Sequence, residues 1–500
     1  VVASFDPYGN LLWYMHIGDT LSDGLINKLR VNSSREIYTL GYVAGSVDYD
    51  PGPGTAILSN SNTITNIVLA KYDANGNYLW AKKMNGALDA DAKSLALDDS
   101  GNVIICGKFL GSVDFDPNAG SFLLNSSTTA TDGFLAKYDS NGNLLFAYDF
   151  GVSQNDECLS VTLDSSNDII CTGTFRGTVD FNPGTAVNSL TASSGSEAFI
   201  LKLKNDGSFS WVKKYGGSGG GTFPLEVKTD RSKNIITAGH FKGTVNLATA
   251  PGSFPASTNA NWANIYTQKL DSSGNFLWAS QFGGVDSDYL GGISIDSLMN
   301  IYMGGSAQGI IDLDRGAGVF NLPSDPYFSQ QYIFIAKFDS LGKVVWAKDI
   351  RGNGGYDLGH DIYAKNDGQV YTIATFTDSV DVNTDSGFLY FQTTNLSTYF
   401  HHIVPCTQTF NTIVVSNCGP YLSPSGKYVW SSSGTYTDIL TNSTGCDSIV
   451  QVQLTITSYP SKTVAVSGCY SYTSPYSGLT YTQSGTYNEY AFDALGCDTA

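Results

Sequence analysis

The stretch LAKYDANGNYLW, from Leu69 to Trp80, decides the fold because variants of it recur through most of the chain. Close copies begin at Leu135 and at Gln268, and each ends in an aromatic residue. In each copy an aspartate and a Gly-Asn pair supply the backbone angles of a tight turn, and apolar residues alternate on both sides of it. The repeated stretch therefore predicts a β-hairpin.

The aromatic residues that end these copies are spaced at a long and regular period. They are separated by 67, 66, 65, 67 and 68 residues, and they are Trp13, Trp80, Phe146, Trp211, Trp278 and Trp346. A period of this length indicates stacked units of several strands each. In the second unit we place strands at 78–83, 93–98, 103–107 and 133–138. Four strands in about 66 residues are typical of one sheet of a β-propeller, so the sequence predicts an all-β fold.

The number of propeller blades stays open at this point. Six aromatic anchors predict six blades, but the strand before the turn occurs seven times if Val2–Asp6 and Thr398–Val404 are both counted. The ring then has six blades with one redundant strand, or seven blades with part of one lying upstream of Val1. We favour seven in a longer protein, because the chain begins inside a repeat.

A boundary is predicted near Pro405, because the hairpin repeat ends there and a different repeat begins. We assign residues 1–404 to the propeller, and residues 405–458 and 459–500 to two small β-sandwich-like modules. Both modules contain Ser-Gly-Thr-Tyr and Gly-Cys-Asp, and the second stops before a copy of the long alternating strand in the first.

The cysteines of these two modules are paired in spacing. Cys418 and Cys446 are 28 residues apart, and so are Cys469 and Cys497. This pattern predicts one disulfide in each module and an oxidising compartment. Zinc binding is the alternative, and it ranks lower because CxxC pairs and nearby histidines are lacking.

Charge excludes some partners. The chain carries a net charge of −18 without any cluster of lysine and arginine, so binding to nucleic acid or to an anionic membrane surface is disfavoured. No apolar run approaches the length of a membrane span, which argues against membrane insertion.

Two sets of aspartates are candidate sites for a ligand or an ion. The first is a series of pairs two residues apart, whose carboxylates share one face of a strand and could bind calcium. These candidate calcium ligands are Asp48, Asp50, Asp114, Asp116, Asp312 and Asp314. The alternative is a strand end that turns into a loop through Asp-Pro. The second set follows each aromatic anchor by ten or eleven residues and could ring the channel mouth as a ligand-binding site: Asp23, Asp91, Asp156, Asp288 and Asp357. Here the alternative is that each aspartate braces its own turn.

A third feature, the repeated turn itself, begins like a calcium loop at Asp73. It lacks the distal glutamate and the flanking helices of an EF-hand, so an aspartate that bonds its own backbone is the favoured interpretation. Motifs of nucleophilic, phosphate-binding and zinc-dependent enzymes are also missing from the sequence.

The repeats resemble a known family. Val113–Pro117 (VDFDP) together with Phe134–Phe146 (FLAKYDSNGNLLF) resembles the SBBP-type β-propeller repeats of secreted bacterial proteins, especially from Bacteroidetes. The SGTYT and GCDS segments at Ser433 and Gly445 resemble modules of large exported proteins in that phylum, which often end in a type IX secretion sorting domain. This resemblance implies export and display at the cell surface, and it defines no catalytic residues.

We therefore expect a secreted or surface-attached scaffold for binding or adhesion, without a required cofactor apart from the candidate calcium. Its expected partner is an extracellular glycan or protein, or another copy of the chain in a surface layer. The alternative is an extracellular carbohydrate-active enzyme, a polysaccharide lyase or hydrolase, that uses the channel mouth. That enzyme would need one repeat to depart from the pattern with an acid, a base and a cation binder.

Overall fold

The structure is a computed structural model, which describes the chain apart from residues 7–9, 19–22, 62–63, 153, 194, 218–220, 259–261, 285–286, 315–317, 323–330, 353–356, 382–389, 394–396, 404–409, 442–446, 457–462, 476, 490, 493–497 and 500. The described residues form strands and turns, with no helix among them. Accordingly, this part of the chain holds no helix long and apolar enough to cross a membrane. The chain divides into two compact units, Val1–Ile403 and Val404–Ala500.

Six successive antiparallel sheets make up the first unit. The first five each contain four consecutive long strands, and the sixth contains three. In chain order the strands are Asp23–Val31, Ile37–Ala44, Asn66–Tyr72 and Tyr78–Lys83 (sheet 1); Ala90–Leu97, Val103–Phe109, Asp132–Tyr138 and Leu144–Phe150 (sheet 2); Glu157–Leu163, Ile169–Phe175, Glu197–Leu203 and Phe209–Tyr215 (sheet 3); Thr222–Thr229, Ile235–Phe241, Asn264–Leu270 and Phe276–Phe282 (sheet 4); Tyr289–Ile295, Ile301–Gln308, Gln331–Phe338 and Val344–Gly352 (sheet 5); and Leu358–Ala364, Val370–Phe376 and Ser397–Ile403 (sheet 6).

The repeated hairpin forms the third and fourth strands of one sheet. In sheet 1, Lys71 lies opposite Trp80 across this hairpin. Tyr78–Lys83, which the sequence places first in the second unit, is therefore the last strand of sheet 1. The sequence repeat and the sheet are offset by one strand, because a tight turn must join neighbours in the same sheet. We call the first strand of each sheet its inner strand and the fourth its outer strand.

The glycine of the hairpin turn has two structural roles. Gly76 has a φ of +81°, a region that side chains with a Cβ rarely adopt. A Cβ there would also lie 3.1 Å from the ring of Trp13. The same relationship joins the anchor of one outer strand to the turn of the next sheet: Trp80 to Gly142, Phe146 to Gly207, Trp211 to Gly274 and Trp278 to Gly342.

A hydrophobic core fills the space between each pair of successive sheets. Leu95 and Phe134 belong to the core between sheets 1 and 2, and Phe199 belongs to the next one. Each sheet is thus buried on both faces, which explains why the second strands are continuously apolar.

An amino-terminal hairpin, Val2–Phe5 with Leu11–Met15, packs on sheet 1 through Met15 and Trp13. On its other side the ring of Phe5 stacks on Phe400 of sheet 6, with ring centroids 6.4 Å apart. The hairpin therefore links the first and last sheets, and the all-β unit is a propeller-like ring. Six inner strands are present among the described residues.

A short extra hairpin follows the second strand of each sheet, and its first strand ends in an aspartate, or in Asn246 in sheet 4. These hairpins are Ser46–Asp48 with Ile57–Ser59, Ser112–Asp114 with Leu123–Asn125, Thr178–Asp180 with Ser189–Thr191, Thr244–Asn246 with Pro255–Ser257, Ile311–Asp312 with Asn321–Leu322, and Ser379–Asp381 with Tyr390–Gln392. The second copy also pairs with Asn85–Gly86. These short strands are separate from the long second strands that precede them.

The second unit has one substantial sheet. Asp447–Ile456 pairs parallel with Phe410–Asn417 and antiparallel with Gly434–Thr441, and Val452 and Leu454 lie in its small core. The other strands are pairs of two residues: Tyr421–Leu422 with Val429–Trp430, Tyr472–Thr473 with Thr480–Tyr481, and Ala491–Phe492 with Asp498–Thr499.

The cysteines of this unit agree only in part with the predicted pairing. Cys418 is disulfide-bonded. Its predicted partner Cys446 lies outside the described residues, as does Cys497. Cys469 is exposed and free, so the structure does not contain the predicted Cys469–Cys497 bond. The part of the unit around Cys469 is held by two-residue strand pairs, which fix the backbone less firmly than the three-stranded sheet beside Cys418.

Candidate functional site

The six inner strands share one equivalent position. Each of them contains an extra residue relative to its neighbour, a β-bulge, near its middle. A bulge bends a strand and redirects the side chains beside it. The residues directly after the six bulges are Lys28, Ser94, Ser160, Glu226, Gly292 and Asp361. We call these residues the central ring.

Two members of the central ring meet across the channel. The Lys28 ammonium of sheet 1 lies 3.6 Å from the Glu226 carboxylate of sheet 4, and Lys228 of sheet 4 lies 2.7 Å from the same carboxylate. Burial by itself would raise the pKa of Glu226, but the two lysines and Arg30 outweigh it and lower the pKa. Glu226 is therefore ionised at neutral pH and is held between cations from opposite sheets.

Two residues further along each inner strand lies a second level of the channel. Side chains two apart on a strand share a face, so this level lies on the same face of each inner strand as the central ring. In sheet 2 that face packs against sheet 3, where Ala96 belongs to the hydrophobic core. It consists of Arg30, Ala96, Thr162, Lys228, Ser294 and Tyr363. The side chain of Tyr363 is 62% exposed, and Arg30 is half-buried with its Nη1 donating to the Leu29 carbonyl at 2.9 Å. We call this set the cationic level.

Hydrogen bonds between neighbouring inner strands hold the wall of the channel. The amide of Val161 donates to Ser94 Oγ at 3.1 Å, and the amide of Val227 donates to Ser160 Oγ at the same distance. Two serines of the central ring are therefore used in joining sheets 2, 3 and 4. The other four residues of the central ring differ in charge from sheet to sheet: they are Lys28, Glu226, Gly292 and Asp361.

A cavity of about 240 Å³ opens at the end of the inner strands of sheets 4 and 5. It is lined by Thr229, Asp230, Arg231, Ile295, Asp296, Ser297 and Asn366. Thr229 directly follows Lys228, so this cavity lies next to the cationic level along the inner strand of sheet 4.

Buried ion pairs brace the sheets, and sequence reasoning missed them. Lys137 Nζ lies 2.9 Å from Asp98, and both side chains are at least 96% buried, with exposed fractions of 4% and 2%. Burial would raise the pKa of Asp98, but the hydrogen bonds from Lys137 and Asn102 outweigh it and lower the pKa. The same pairing recurs between Lys202 and Asp164 and between Lys269 and Asp230. A lysine inside an otherwise apolar buried strand was the signal, because such a residue needs a partner.

Three of the five aspartates predicted to ring the channel mouth are inside the protein. Asp156 is 1% exposed, and Asp288 and Asp357 are fully buried. Asp156 Oδ1 accepts the Arg176 amide at 2.7 Å, and Asp288 accepts the amides of Gly284 and Gln308 at 3.1 and 3.3 Å. The carboxylates of Asp156 and Asp288 therefore occupy the turn-bracing positions that formed the alternative interpretation.

The other two aspartates of this set are not at the same position. The backbone amides of Asp156 and Asp288 each donate to a carbonyl in the loop before the third strand of the preceding sheet. In sheet 2 the amide of Ala90 makes this contact, and that of Asp91 does not. Asp91 instead pairs with Lys93. Asp23 lies at the start of its strand, and its side chain is outside the described residues. Equal sequence offsets therefore do not give one ring, and ligand binding by these five residues stays a prediction.

Burial changes the acidity of two of these groups. It raises the pKa of Asp156 to about 7, where the amide of Arg176 opposes the rise and the nearby charge of Asp132 adds to it. Burial also raises the pKa of Asp357 to about 6. Both groups titrate close to neutral pH, so their charge couples the stability of the ring to pH.

The candidate calcium ligands serve as hydrogen-bond acceptors in their loops. Asp114 Oδ1 accepts the amides of Asp116 and Phe122 at 3.1 and 2.8 Å, and Asp116 accepts that of Asn118 at 3.0 Å. Asp48 and Asp312 repeat the arrangement, each with the amides two and eight residues on. The carboxylate of Asp50 accepts the amide of Gly52. Asp314 takes part through its backbone amide, which donates to Asp312 Oδ1 at 2.9 Å.

The corresponding loop of sheet 4 shows what this position requires. Asn246 Oδ1 accepts the amides of Ala248 and Phe254 at 3.2 and 2.8 Å, although an asparagine carries no charge. An oxygen acceptor is therefore sufficient for the loop. Among the described residues no group of three or more His, Cys, Asp or Glu side chains is placed to hold a metal ion. Calcium binding by the aspartate pairs stays a prediction.

The repeated hairpin turn uses both carboxylate oxygens of its aspartate. Asp73 Oδ1 accepts the amides of Asn75 and Asn77 at 2.8 and 2.9 Å, and Oδ2 accepts the side-chain amide of Asn77 at 2.8 Å. These hydrogen bonds lower the pKa of Asp73. The turn is therefore self-contained, as the favoured interpretation of the sequence expected.

No protein-family model matches the chain. Among curated proteins, an uncharacterized WD repeat-containing protein of Acanthamoeba polyphaga mimivirus is 24% identical over 416 residues, which are 68% of this chain and 29% of that protein. The regulatory protein FlaEY of Caulobacter vibrioides is 26% identical over 181 residues, 34% of this chain and 17% of its own length. The chain thus spans less than a third of the length of either relative.

Solved structures with some likeness include a protein of unknown function from Bacteroides caccae, at 11% identity and a TM-score of 0.30 over 68% of this chain and 86% of that one. Another is the extracellular domain of a one component system from B. thetaiotaomicron, at 9% identity and a TM-score of 0.15 over 88% and 98%. Scores this low carry no argument. The likeness to a WD repeat-containing protein agrees with the successive antiparallel sheets of the first unit, which is an all-β repeat structure of the propeller kind.

Proposed function

We propose that the protein is an exported, non-catalytic scaffold that binds an extracellular glycan or protein through the channel face of its propeller. The observation that carries this proposal is the central ring, where one structural position holds lysine, serine, glutamate, glycine and aspartate in different sheets. The repeated hairpins of the third and fourth strands hardly change. Repeat proteins that bind ligands combine a constant framework with a variable surface in this way.

The repeated acidic residues support a framework role for everything outside the channel. Asp73, Asp98, Asp114 and Asp156 each accept backbone amides or pair with a buried lysine. Each of these carboxylates therefore has at least one oxygen engaged by the protein itself. The side chains that differ between sheets, among them Lys28, Arg30 and Lys228, are the better candidates for contact with an external ligand.

A polysaccharide lyase or hydrolase is the second candidate. Glycoside hydrolysis needs a carboxylic acid with a raised pKa beside a second carboxylate. The channel carboxylate with the most contacts, Glu226, has a lowered pKa and is paired with two lysines. That environment suits charge compensation and not proton donation, so we place the enzyme below the scaffold.

Export, adhesion and self-association belong to the same proposal. The resemblance to SBBP-type repeats and the disulfide at Cys418 support a secreted or cell-surface location, because disulfides persist in oxidising compartments. We also propose that the aspartate pairs of the short hairpins bind calcium when it is abundant outside the cell, and that copies of the chain associate in a surface layer.

The test is a glycan and protein binding array, run with and without calcium, on three forms of the protein. In the first variant, Thr162→Trp fills the channel at the cationic level. In the control, Leu145→Trp adds the same bulk on the outer strand of sheet 2, where the side chain is 53% exposed. We expect the channel variant to lose the ligand and the control to keep it. Binding that survives Thr162→Trp, or cleavage of a polysaccharide by the unmodified protein, would overturn the proposal.

A further inference from the structure

We propose that the cationic level binds the carboxylate of an acidic polysaccharide, with Arg30 and Lys228 as its charged contacts and Tyr363 as a surface for the sugar ring. This inference rests on the proposed function, and it names the chemical class of the ligand. It differs from the ring of aspartates expected from the sequence, which would attract a cation.

The two levels carry more positive than negative charge. Lys28, Arg30 and Lys228 supply three positive charges, and Glu226 and Asp361 supply two negative ones, so one positive charge is left over. The whole chain carries a net charge of −18. A positive channel enclosed by walls of low dielectric focuses its potential and attracts an anion from solution.

Arg30 and Lys228 both have N–H donors that their present contacts do not use. A guanidinium carries five N–H donors in a planar fork, and the hydrogen bond from Arg30 to the Leu29 carbonyl uses one of them. The remaining fork matches the two oxygens of a carboxylate. Lys228 carries three N–H donors and directs one at Glu226, at 2.7 Å. Both cations can therefore bind a ligand without losing their present contacts.

The groups near the two cations suit a sugar acid. Tyr363 lies on the cationic level and is 62% exposed, and the hydroxyl of Thr162 lies on the same level. The adjoining cavity is lined by Arg231, Ser297 and Asn366, and also by Asp230 and Asp296, whose carboxylates are engaged by Lys269 and by backbone amides. An exposed aromatic face with nearby hydroxyl and amide groups suits a sugar, which offers a C–H face and several hydroxyls. A uronic acid combines these features with a carboxylate.

The experiment is a calorimetric titration of the full chain with oligogalacturonate and with oligoalginate. Each probe is paired with its methyl ester, which keeps the sugar and removes the charge. We expect at least one acidic probe to bind and its ester to bind at least about tenfold more weakly, because a charge-assisted hydrogen bond contributes about that factor. Affinity should also fall as salt is added.

The variant for this test is Arg30→Gln, because it leaves both salt bridges of Glu226 in place. We expect it to weaken binding of the acidic probe about tenfold. The matched control is Lys82→Gln on the outer strand of sheet 1, where the lysine contacts Asn118 at 2.7 Å. It removes the same charge and should leave the affinity unchanged. Arg30→Lys keeps the charge without the fork, and we expect an intermediate affinity from it.

Equal affinity for acid and ester, equal losses in Arg30→Gln and Lys82→Gln, or failure of both acidic probes to bind would overturn this inference. A glutamate-rich peptide serves as a further probe, and its binding in preference to the uronates would replace a polysaccharide by a protein ligand. If the array finds a neutral ligand that Thr162→Trp blocks, the scaffold proposal stands while this inference fails. If Thr162→Trp blocks nothing, the scaffold proposal fails as well.

Discussion

The ammonium of Lys28 and the carboxylate of Glu226 lie 3.6 Å apart, although the two residues belong to sheets 1 and 4. In a ring of six sheets these two are opposite each other. In an open stack they would be separated by the thickness of two further sheets, about 10 Å for each packing layer. The contact therefore reports that the inner strands converge on one channel.

The buried pair of Lys137 and Asp98 provides a stability prediction. Asp98→Asn leaves a buried lysine without its counter-charge, and breaking a buried pair in this way costs about 3–5 kcal/mol. We expect a loss of that size in the free energy of unfolding, measured by urea denaturation. Lys204→Gln is the control, because that lysine is 54% exposed in its pair with Asp168 and should change stability by less than about 1 kcal/mol. Equal effects of the two variants would show that burial does not matter here.

Asp156 predicts how stability depends on pH. Its pKa is raised to about 7 in the folded protein, whereas an unfolded aspartate titrates near 3.9. Between these values the unfolded chain releases a proton that the folded chain keeps, so the contribution to stability is complete below about pH 4 and is lost as the pH rises through 7. Asp156→Asn retains the oxygen that accepts the Arg176 amide at 2.7 Å and does not titrate.

We therefore expect Asp156→Asn to be more stable than the unmodified protein at pH 8, by about 2–4 kcal/mol, and to lose part of the fall in stability between pH 4 and 7. Melting temperatures measured across this range give the answer. Parallel pH profiles for the two proteins would mean that Asp156 is ionised in the fold at all of these pH values.

The hairpin glycines give a third prediction. Gly142→Ala forces a Cβ into a φ of +79° and places it 3.3 Å from the Trp80 ring. Gly195→Ala meets a similar φ of +66° with nothing within 4 Å. Both should lose about 1 kcal/mol from backbone strain, and Gly142→Ala should lose about 1–2 kcal/mol more from the ring contact. Equal losses in urea denaturation would exclude a role for the aromatic anchor in positioning the turn.

The fourth prediction separates calcium binding from loop bracing. Without calcium, Asp114→Asn should change the free energy of unfolding by less than about 0.5 kcal/mol, because Asn246 holds the same loop in sheet 4. Asp114→Ala removes the acceptor for two amides and should cost about 1–3 kcal/mol. On the calcium proposal, added calcium raises the melting temperature of the unmodified protein more than that of Asp114→Asn. Equal shifts in the two proteins would remove Asp114 from the list of calcium ligands.

Much of the fold follows from local sequence because the hairpin is a local structure. The turn at Asp73–Asn77 contains its own hydrogen bonds, and its aromatic anchor marks the period. The grouping of strands into sheets is not local in the same way. Tyr78–Lys83 was assigned to the wrong sheet because a repeat in sequence can be divided at any strand, and only pairing with Asn66–Tyr72 decides where a sheet ends.

The candidate site was harder to predict for a related reason. The offset from the aromatic anchor aligned Asp91 with Asp156, but a difference of one residue in the loop makes Ala90 the equivalent, and one residue reverses the face of a strand. Lys28 and Glu226 are neither repeated nor close in sequence, so no pattern links them. Their contact exists because the ring brings opposite inner strands together, which is a property of the whole fold.

A double-mutant cycle between Lys28 and Glu226 tests the ring most directly. The free energy of unfolding is measured by urea denaturation for the unmodified protein, Lys28→Met, Glu226→Gln and the double variant. Residues in contact show a coupling energy, and for this partly exposed pair we expect about 0.5–1 kcal/mol that decreases with added salt. A closed ring predicts this coupling, whereas additive effects of the two substitutions at low salt would contradict the convergence of sheets 1 and 4 on one channel.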